Sequence, residues 1–503
     1  MARFYIENFG CRATQADGAA LENQFLERGL ERAGEARNAE IVVLNTCTVT
    51  EGADKDARAS IRRLRRVNPD CRILVTGCYA QRAPEEVAAL PGVTWVVGNS
   101  HKHQAAEIAT ASFSEHSSSG FVPIEQLAAD APERVVVGDI FAHTQLMAAP
   151  VFDAANERTR PNLKIQDGCD NRCSFCVIPY VRGQSRSLPP ERVITEVRTL
   201  VEAGYREVVI SGINLGRWGR DLNDNSQLSV LSSQSKPRRS ADQGWRLVDL
   251  IRAILSRTGL EKLRISSVEP MDWTDELIDL MASSPRIAKH AHVPMQSASD
   301  AVLRRMHRKY RPWHYREKIR KISEAMPRAA IGADVMVGFP GETAAEFAET
   351  QRMVEQLPFT YLHVFTYSAR PGTPAAKHPD QVPVAIARQR NSVLRQIASA
   401  KKRAFLRSLI GTAVEAITLQ SGGADFTEAL SENYLKAKIP GHHPANRWMP
   451  LSVEGVEGEM LVVRPAAEKC RELPCTAELM SSVTRECTEG NKPIDLQPFA
   501  RVP

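Results

Sequence analysis

Short apolar runs alternate with amphipathic stretches of helical length through the first hundred residues. Phe4-Tyr5-Ile6, Ile41-Val42-Val43-Leu44 and Ile73-Leu74-Val75 have the length of buried strands, and helix-like stretches lie between them near residues 19–32 and 54–66. This alternation predicts a parallel α/β domain. Between residues 101 and 155 the period is lost and Ser117-Ser118-Ser119-Gly120 intervenes, which predicts a linking segment. Alternation resumes at Leu163 and continues through Glu207–Ile210, Leu263–Ile265, Ala291–Pro294, Ile331–Val337 and Tyr361–Phe365. About six βα units of this kind fit a full or partial barrel.

A long basic helix over 383–409 follows, and then short β-like runs such as Val414–Thr418 and Glu459–Val463, which predict a small all-β module. The expected organisation is an N-terminal α/β domain over 1–105, a linker over 106–155, a (β/α) barrel over 156–382, a connecting helix over 383–410, a β module over 411–465 and a tail over 466–503 without an assigned role. The serine-rich stretch 223–244, with Lys236-Pro237-Arg238-Arg239, reads as a loop inserted between barrel elements.

Composition narrows the class. Of 503 residues 43% are hydrophobic and 25% charged, as in ordinary globular proteins, and no stretch approaches the ~20 apolar residues that cross a bilayer. Met1–Ile6 lacks the basic, apolar and small-residue sequence of a secretory signal, so a cytoplasmic protein without membrane attachment is expected. The net charge of +6 suits a polyanionic partner and equally an ordinary soluble surface. Ten cysteines (Cys11, Cys47, Cys71, Cys78, Cys169, Cys173, Cys176, Cys470, Cys475, Cys487) are many for a compartment where disulfides are rare, which points to metal ligation.

Cys169, Cys173 and Cys176 form a Cys-x3-Cys-x2-Cys run directly after a strand-like segment and Gly168. Three thiolates on one tight loop suit three irons of a four-iron cluster and leave the fourth iron open to a chelating substrate, with Phe175 placed to shield it. Zinc sites, the alternative, usually pair Cys-x2-Cys units with a fourth ligand. Cys11, Cys47 and Cys78 each follow a strand run, and strand ends of a parallel sheet lie along one edge, where the three thiols can converge. Cys71 precedes its strand, on the wrong side for such a set. Isolated buried cysteine is the plainer reading of each residue alone.

The cysteine loop resembles that of the radical S-adenosylmethionine superfamily. Three further segments, Asn8-Phe9-Gly10-Cys11, Asn45-Thr46-Cys47-Thr48-Val49-Thr50 and Thr76-Gly77-Cys78-Tyr79-Ala80-Gln81, are similar to the methylthiotransferase family within it. The resemblance covers about residues 3–465. It implies two 4Fe-4S clusters, one on Cys169, Cys173 and Cys176 that cleaves S-adenosyl-L-methionine to a 5′-deoxyadenosyl radical. The other, auxiliary cluster would sit on Cys11, Cys47 and Cys78 and supply sulfur.

Matches continue at Lys164–Gly168, Ile178–Gly183, Ser211–Gly216, Arg264–Pro270, His292–Ser297 and Gly338–Thr343. Asn214, Ser267, Glu269 and Gln296 are the candidates these segments offer for holding the cofactor, against the plainer reading of polar loop residues. Arg182, Arg186, Arg217 and Arg220 follow strand ends and are candidates for RNA phosphates or a substrate carboxylate, or else are solvated surface arginines. No Gly-x4-Gly-Lys-Ser/Thr run supports nucleotide hydrolysis.

Within the family, Asn45–Thr50, Glu269-Pro270-Met271 and Tyr367–Ala376 are similar to members that act on N6-threonylcarbamoyladenosine of tRNA. The resemblance implies the tRNA anticodon loop as partner, a reductant protein such as flavodoxin or ferredoxin, and an RNA-binding-like role for the β module. The alternatives are isopentenyladenosine or a ribosomal-protein aspartate as substrate, or a noncatalytic iron–sulfur RNA-binding protein. Cys470, Cys475 and Cys487 lie beyond the family's usual extent and read as free thiols, with a small metal site as the alternative.

Overall fold

A computed structural model describes residues 2–114, 134–142, 146, 159–222 and 244–466. Most of the expected linker, nearly all of the serine-rich insertion, and the tail with Cys470, Cys475 and Cys487 lie outside the described residues.

The first sheet is built from β1 (Arg3–Asn8), β2 (Glu31–Arg32), β3 (Ile41–Thr46), β4 (Arg72–Gly77), β5 (Val93–Gly98) and β6 (Val135–Val136) in the order β2-β1-β3-β4-β5-β6. All its pairings are parallel. Ile41–Thr46 is buried at every residue, as a central strand covered by helices on both faces must be.

Helix α1 (Arg12–Glu27) begins earlier than expected. Cys11 makes no side-chain cap, and its burial of Asp17, Leu21 and Phe25 against the sheet carries it instead. It ends before Gly29, whose φ of 77° lets the Leu30 N–H reach back to the Phe25 carbonyl. Residues 31–32, expected in that helix, form β2. Val135–Val136, expected in the linker, pair with β5. The helix Ala105–Ser114 buries Ala105, Ala106 and Ala109 in the core of the first sheet, so that domain runs past residue 105.

The barrel is an arc. Strands β7 (Asn162–Asp167), β8 (Arg186–Ser187), β9 (Glu207–Gly212) and β10 (Lys262–Ile265) form a sheet in the order β10-β9-β7-β8. Strands β11 (His290–His292), β12 (Ala330–Val337) and β13 (Tyr361–Thr366) continue it through the parallel bridges Leu263–Ile287 and Ser267–His292. One core fills the arc, with Trp218, Trp273, Tyr310 and Tyr315 fully buried. Beyond the helix Val384–Ser408, strands β14 (Ala413–Gly423), β15 (Phe426–Ser431), β16 (Lys436–Pro440), β17 (Trp448–Glu457) and β18 (Met460–Pro465) close into a small barrel. No helix among the described residues is long and apolar enough to cross a membrane.

Two buried ion networks join the first sheet to the arc. Asp17 on α1 takes Lys102 at 3.0 Å and Arg182 at 2.9 Å and also pairs with Lys164. Lys164 and Arg182 in turn pair with Asp167 at 2.8 and 2.9 Å. The second network centres on Asp54, opening α2 (Glu51–Val67), which holds Arg82 at 3.0 Å and Arg370 at 2.8 Å. Arg370 also donates to the Thr48 carbonyl, and the Glu51 N–H donates to Ser368 Oγ. The segments Asn45–Thr50 and Tyr367–Ala376 therefore dock on each other.

Burial alone would raise the Asp17 carboxyl, but the Lys102, Lys164 and Arg182 cations outweigh it and hold it well below the usual carboxylate range. A depressed carboxyl contributes stability above its unfolded value, about pH 4, that is lost as pH falls through the folded value. Asp17→Asn leaves three buried cations short of one carboxylate and is expected to destabilise the chain by about 3–5 kcal/mol. Denaturant melts at pH 7 and at acidic pH check both points, since the gap between wild type and variant should narrow on acidification.

Candidate functional site

Three adjacent parallel strands deliver three thiols to one sheet edge. In the register of β1, β3 and β4, Asn8 lies opposite Asn45 and Thr46 opposite Gly77. Cys11 precedes α1, Cys47 follows β3, and Cys78 opens the short helix α3 (Cys78–Arg82). Strands lie about 4.8 Å apart, so the three thiols span on the order of 10 Å of edge. Gly10 has φ 101°, and a Cβ there would meet Cys47 Cβ at 2.6 Å, so only glycine lets this loop close onto Cys47. Cys71 begins the far end of β4, about 20 Å back along the strand, and packs with Ile73 and Val75 in the core.

Cys11 is exposed, whereas Cys47 and Cys78 are buried. Burial first, then the neighbouring Cys78 and Cys11 sulfurs, pushes the Cys47 thiol up to about 12. Arg182 and Lys102 supply positive charge close to this trio.

The second trio lies on the loop after β7. Gly168 turns the chain at φ 72°, where a Cβ would strike the Gln184 carbonyl at 1.9 Å. The Cys169 N–H then donates to the Gly183 carbonyl, and Ser174 is tied by its hydroxyl to the Arg305 carbonyl. Asn214 Nδ2 approaches Cys169 Sγ at 3.7 Å, and Arg308 Nη1 donates to Cys173 Sγ at 3.2 Å. Burial pushes the Cys176 thiol up to about 12, with Cys173 and Cys169 adding to it. Phe175 packs edge-on to Phe339, and Phe339 in turn to Tyr367, forming an aromatic cover beside the loop.

The two trios are neighbours. Cys78 packs against Val177, which directly follows Cys176 in the chain, and against Val181 five residues past it, and Asn99 donates to both Cys78 Sγ and the Val181 carbonyl. A cavity of about 460 Å³ opens beside them, bordered by Cys11, Asn214, Ser267, Glu269 and Gln296. The four polar positions singled out in the sequence thus share one cavity wall. Gln166, fully buried, accepts the Asn214 N–H at 2.7 Å and donates to the Asp167 and Gly168 carbonyls, so it ties the cysteine loop to the β9 end. Gln296 adopts φ 62°, uncommon for a residue other than glycine, and is held there by backbone bonds to Asp334 and Met336. Burial raises the Glu269 carboxyl above its ordinary range, opposed by its ion pair with Arg308.

The arginines fall elsewhere. Arg182 is 3% exposed and its guanidinium is held by Asp17 and Asp167, so the expected contact with RNA is corrected to a buried cation beside the first trio. Arg186 is half-buried, donates to the Gln184 carbonyl and does not border the cavity. Arg217 and Arg220 both face Asp272, at 3.6 and 3.2 Å. In the Gly338–Thr343 turn, Thr343 caps the next helix with Glu346, while Glu342 turns back to the Gly338 N–H and Arg390 and remains outside the helix.

Sequence reasoning did not single out Arg12, His290, Asp334, Tyr361, His363 and Tyr434, which also border the cavity, nor give a role to His292 within its matched segment. The position of Arg12 directly after Cys11 was a usable signal. Nothing local marked Tyr434, which arrives from the small barrel.

The donor sets fit iron–sulfur clusters. Each trio gathers soft thiols, with Cys47 and Cys78 buried in the first and all three partly buried in the second, and cations stand beside both to balance an anionic cluster.

Comparison with known proteins agrees with this geometry. The family model described as uncharacterized protein family UPF0004 matches residues 3–98, and that of the radical SAM superfamily matches residues 163–354. The threonylcarbamoyladenosine tRNA methylthiotransferase MtaB of Bacillus subtilis is 38% identical, with 76% of this chain and 77% of that protein covered. Its namesake from Aquifex aeolicus is 34% identical over 87% of this chain and 96% of that one. The tRNA-2-methylthio-N(6)-dimethylallyladenosine synthase of Desulfitobacterium hafniense is 29% identical, covering 81% and 84%. Among solved structures, the radical S-adenosylmethionine methyltransferase TsrM of Kitasatospora setae, with cobalamin and a 4Fe-4S cluster bound, shares the fold at a TM-score of 0.52 and 17% identity, covering 75% and 77%.

In metal-free protein the raised Cys47 and Cys176 thiols should be alkylated on the order of 10³-fold more slowly at pH 8 than an ordinary thiol, with the exposed Cys11 modified first. Timed iodoacetamide labelling with peptide mass spectrometry checks the order.

Proposed function

The chain belongs to the methylthiotransferase family of radical S-adenosylmethionine enzymes, and from that premise we propose that it adds a methylthio group to carbon 2 of N6-threonylcarbamoyladenosine in tRNA. The observation that supports this reading most is that both cysteine trios stand at one cavity: Cys11 borders it directly, and the Cys169–Cys176 loop reaches it through Asn214. When bound, S-adenosyl-L-methionine and two 4Fe-4S clusters supply the electron, the radical and the methylated sulfur. Cys169, Cys173 and Cys176 would hold one cluster, and Cys11, Cys47 and Cys78 the other.

The chain's own groups divide the remaining work. Asn214, Ser267, Glu269 and Gln296 offer hydrogen-bond partners for the polar parts of the cofactor along the strand ends of the arc, where barrel enzymes build their sites. The Phe175, Phe339 and Tyr367 rings keep water from the cysteine loop. Arg182 and Lys102 offset the negative charge of the first trio without reaching substrate. A base must leave its stack to enter such a cavity, which favours the exposed bases of the anticodon loop. The small barrel would help hold the RNA, and a flavodoxin or ferredoxin would deliver the electron.

Nucleoside mass spectrometry of total tRNA, with and without the gene, tests the substrate. Loss of 2-methylthio-N6-threonylcarbamoyladenosine with accumulation of its unthiolated precursor is expected. Loss of the isopentenyl counterpart instead would move the substrate, and an unchanged profile would overturn the proposal.

Iron analysis tests the ligand sets. Cys78→Ala should lose roughly half of the bound iron and all methylthio product. Cys71→Ala, at the opposite end of β4, should keep both.

A further inference from the structure

Among the described residues bordering the cavity, Arg12 is the sole arginine or lysine. The other arginines near the site are matched to carboxylates: Arg182 to Asp17 and Asp167, Arg217 and Arg220 to Asp272, Arg264 to Glu207, and Arg308 to Glu269. Arg12 has no such partner among the described residues. Its guanidinium donates to the Tyr434 hydroxyl at 3.3 Å, which leaves most of its five N–H donors unused. It opens α1, whose first turn carries no acidic residue, so the partial positive charge of the helix end reinforces its own.

Tyr434 is delivered with some care. It sits between β15 and β16 at φ 65°, a conformation rare for a bulky residue. Its turn is pinned to the arc by Arg264, which donates to the Glu432 and Ser431 carbonyls and lies over the Tyr434 ring. The ring also contacts His290, at 4.9 Å between centroids. The small barrel thereby contributes a wall of the cavity, at the point where Arg12 waits. Of the two acids that border the cavity, Glu269 pairs with Arg308, and Asp334 lies 3.4 Å from His292, itself a residue of the cavity wall.

We propose that Arg12, with the Tyr434 hydroxyl beside it, receives the carboxylate of the substrate's N6 side chain and so selects an adenosine bearing an amino acid over one bearing an uncharged isoprenoid group; this inference rests on the substrate reading above. The chemistry of the base agrees with the order of residues. Carbons 2 and 6 of adenine both neighbour N1, so a side chain on N6 that folds along the N1 edge brings its carboxylate near carbon 2. Cys11 and Arg12, consecutive in the chain, match a reacting carbon and a carboxylate held side by side. A guanidinium presents the planar fork that a carboxylate fits.

The test uses reconstituted holoenzyme and anticodon stem-loop RNAs carrying N6-threonylcarbamoyladenosine, isopentenyladenosine or plain adenosine, with dissociation constants from fluorescence anisotropy and iron content measured alongside. Arg12→Gln should bind the threonylcarbamoyl RNA about 10–100-fold more weakly, with the isopentenyl and plain RNAs little changed, and Arg12→Lys should recover part of the loss. Tyr434→Phe should weaken the same preference by a few-fold with iron at the wild-type level, and it carries the test should Arg12→Gln lose iron. Unchanged preference in these variants, or an equal loss for all three RNAs, overturns the role of Arg12. Failure of the wild-type enzyme itself to methylthiolate the threonylcarbamoyl RNA is a separate result, which overturns the substrate reading and this inference with it.

Discussion

The buried carboxylate of Asp17 is the point on which the two halves of the site depend. It lies on α1 of the first sheet and binds cations from the same domain, Lys102, and from the arc, Lys164 and Arg182. Buried ion pairs rarely add much net stability over well-packed apolar groups, but a missing partner is costly. The network therefore acts as a register device: a docking that leaves Asp17 without Lys164 and Arg182 is heavily disfavoured. In the docked state Cys78 rests on Val177 and Val181, and one cavity is bordered by Cys11 and by Asn214, whose side chain approaches Cys169.

The second ion network, centred on Asp54, joins two of the motifs read from the sequence. Asn45–Thr50 and Tyr367–Ala376 suggested a substrate preference by resemblance, yet in the fold they meet each other through Arg370, Thr48, Asp54, Glu51 and Ser368. Ala375 of the second motif also donates to the Ser174 carbonyl within the cysteine loop. These segments position the chemistry, while Arg12, the one guanidinium among the described residues bordering the cavity, directly follows the first cysteine segment.

What was legible in the sequence follows from locality. Strands such as Ile41–Thr46 and Ala330–Val337 are dense apolar runs, and parallel connection places strand ends on one edge, so the approach of Cys11, Cys47 and Cys78 was legible, as was the local spacing of Cys169, Cys173 and Cys176. The start of α1 was not legible, because Cys11 is no ordinary cap and Thr14, Asp17 and Gly18 are weak helix formers; burial of Asp17, Leu21 and Phe25 overrides them. The partners of Arg182 lie 15 and 165 residues away, and Tyr434 is 422 residues from Arg12, so no local pattern reveals either pairing. An arginine after a strand end reads as surface until the acids that bury it are seen.

The central claim is that two iron–sulfur clusters serve one cavity from opposite domains. Electron paramagnetic resonance of the reconstituted, reduced enzyme tests it most directly. With both trios filled, the account predicts spin coupling between the clusters, seen as broadened, fast-relaxing signals that become simple when either trio is removed by alanine substitution. A wild-type spectrum equal to the sum of the two single-cluster variants, with unaltered relaxation, would contradict it.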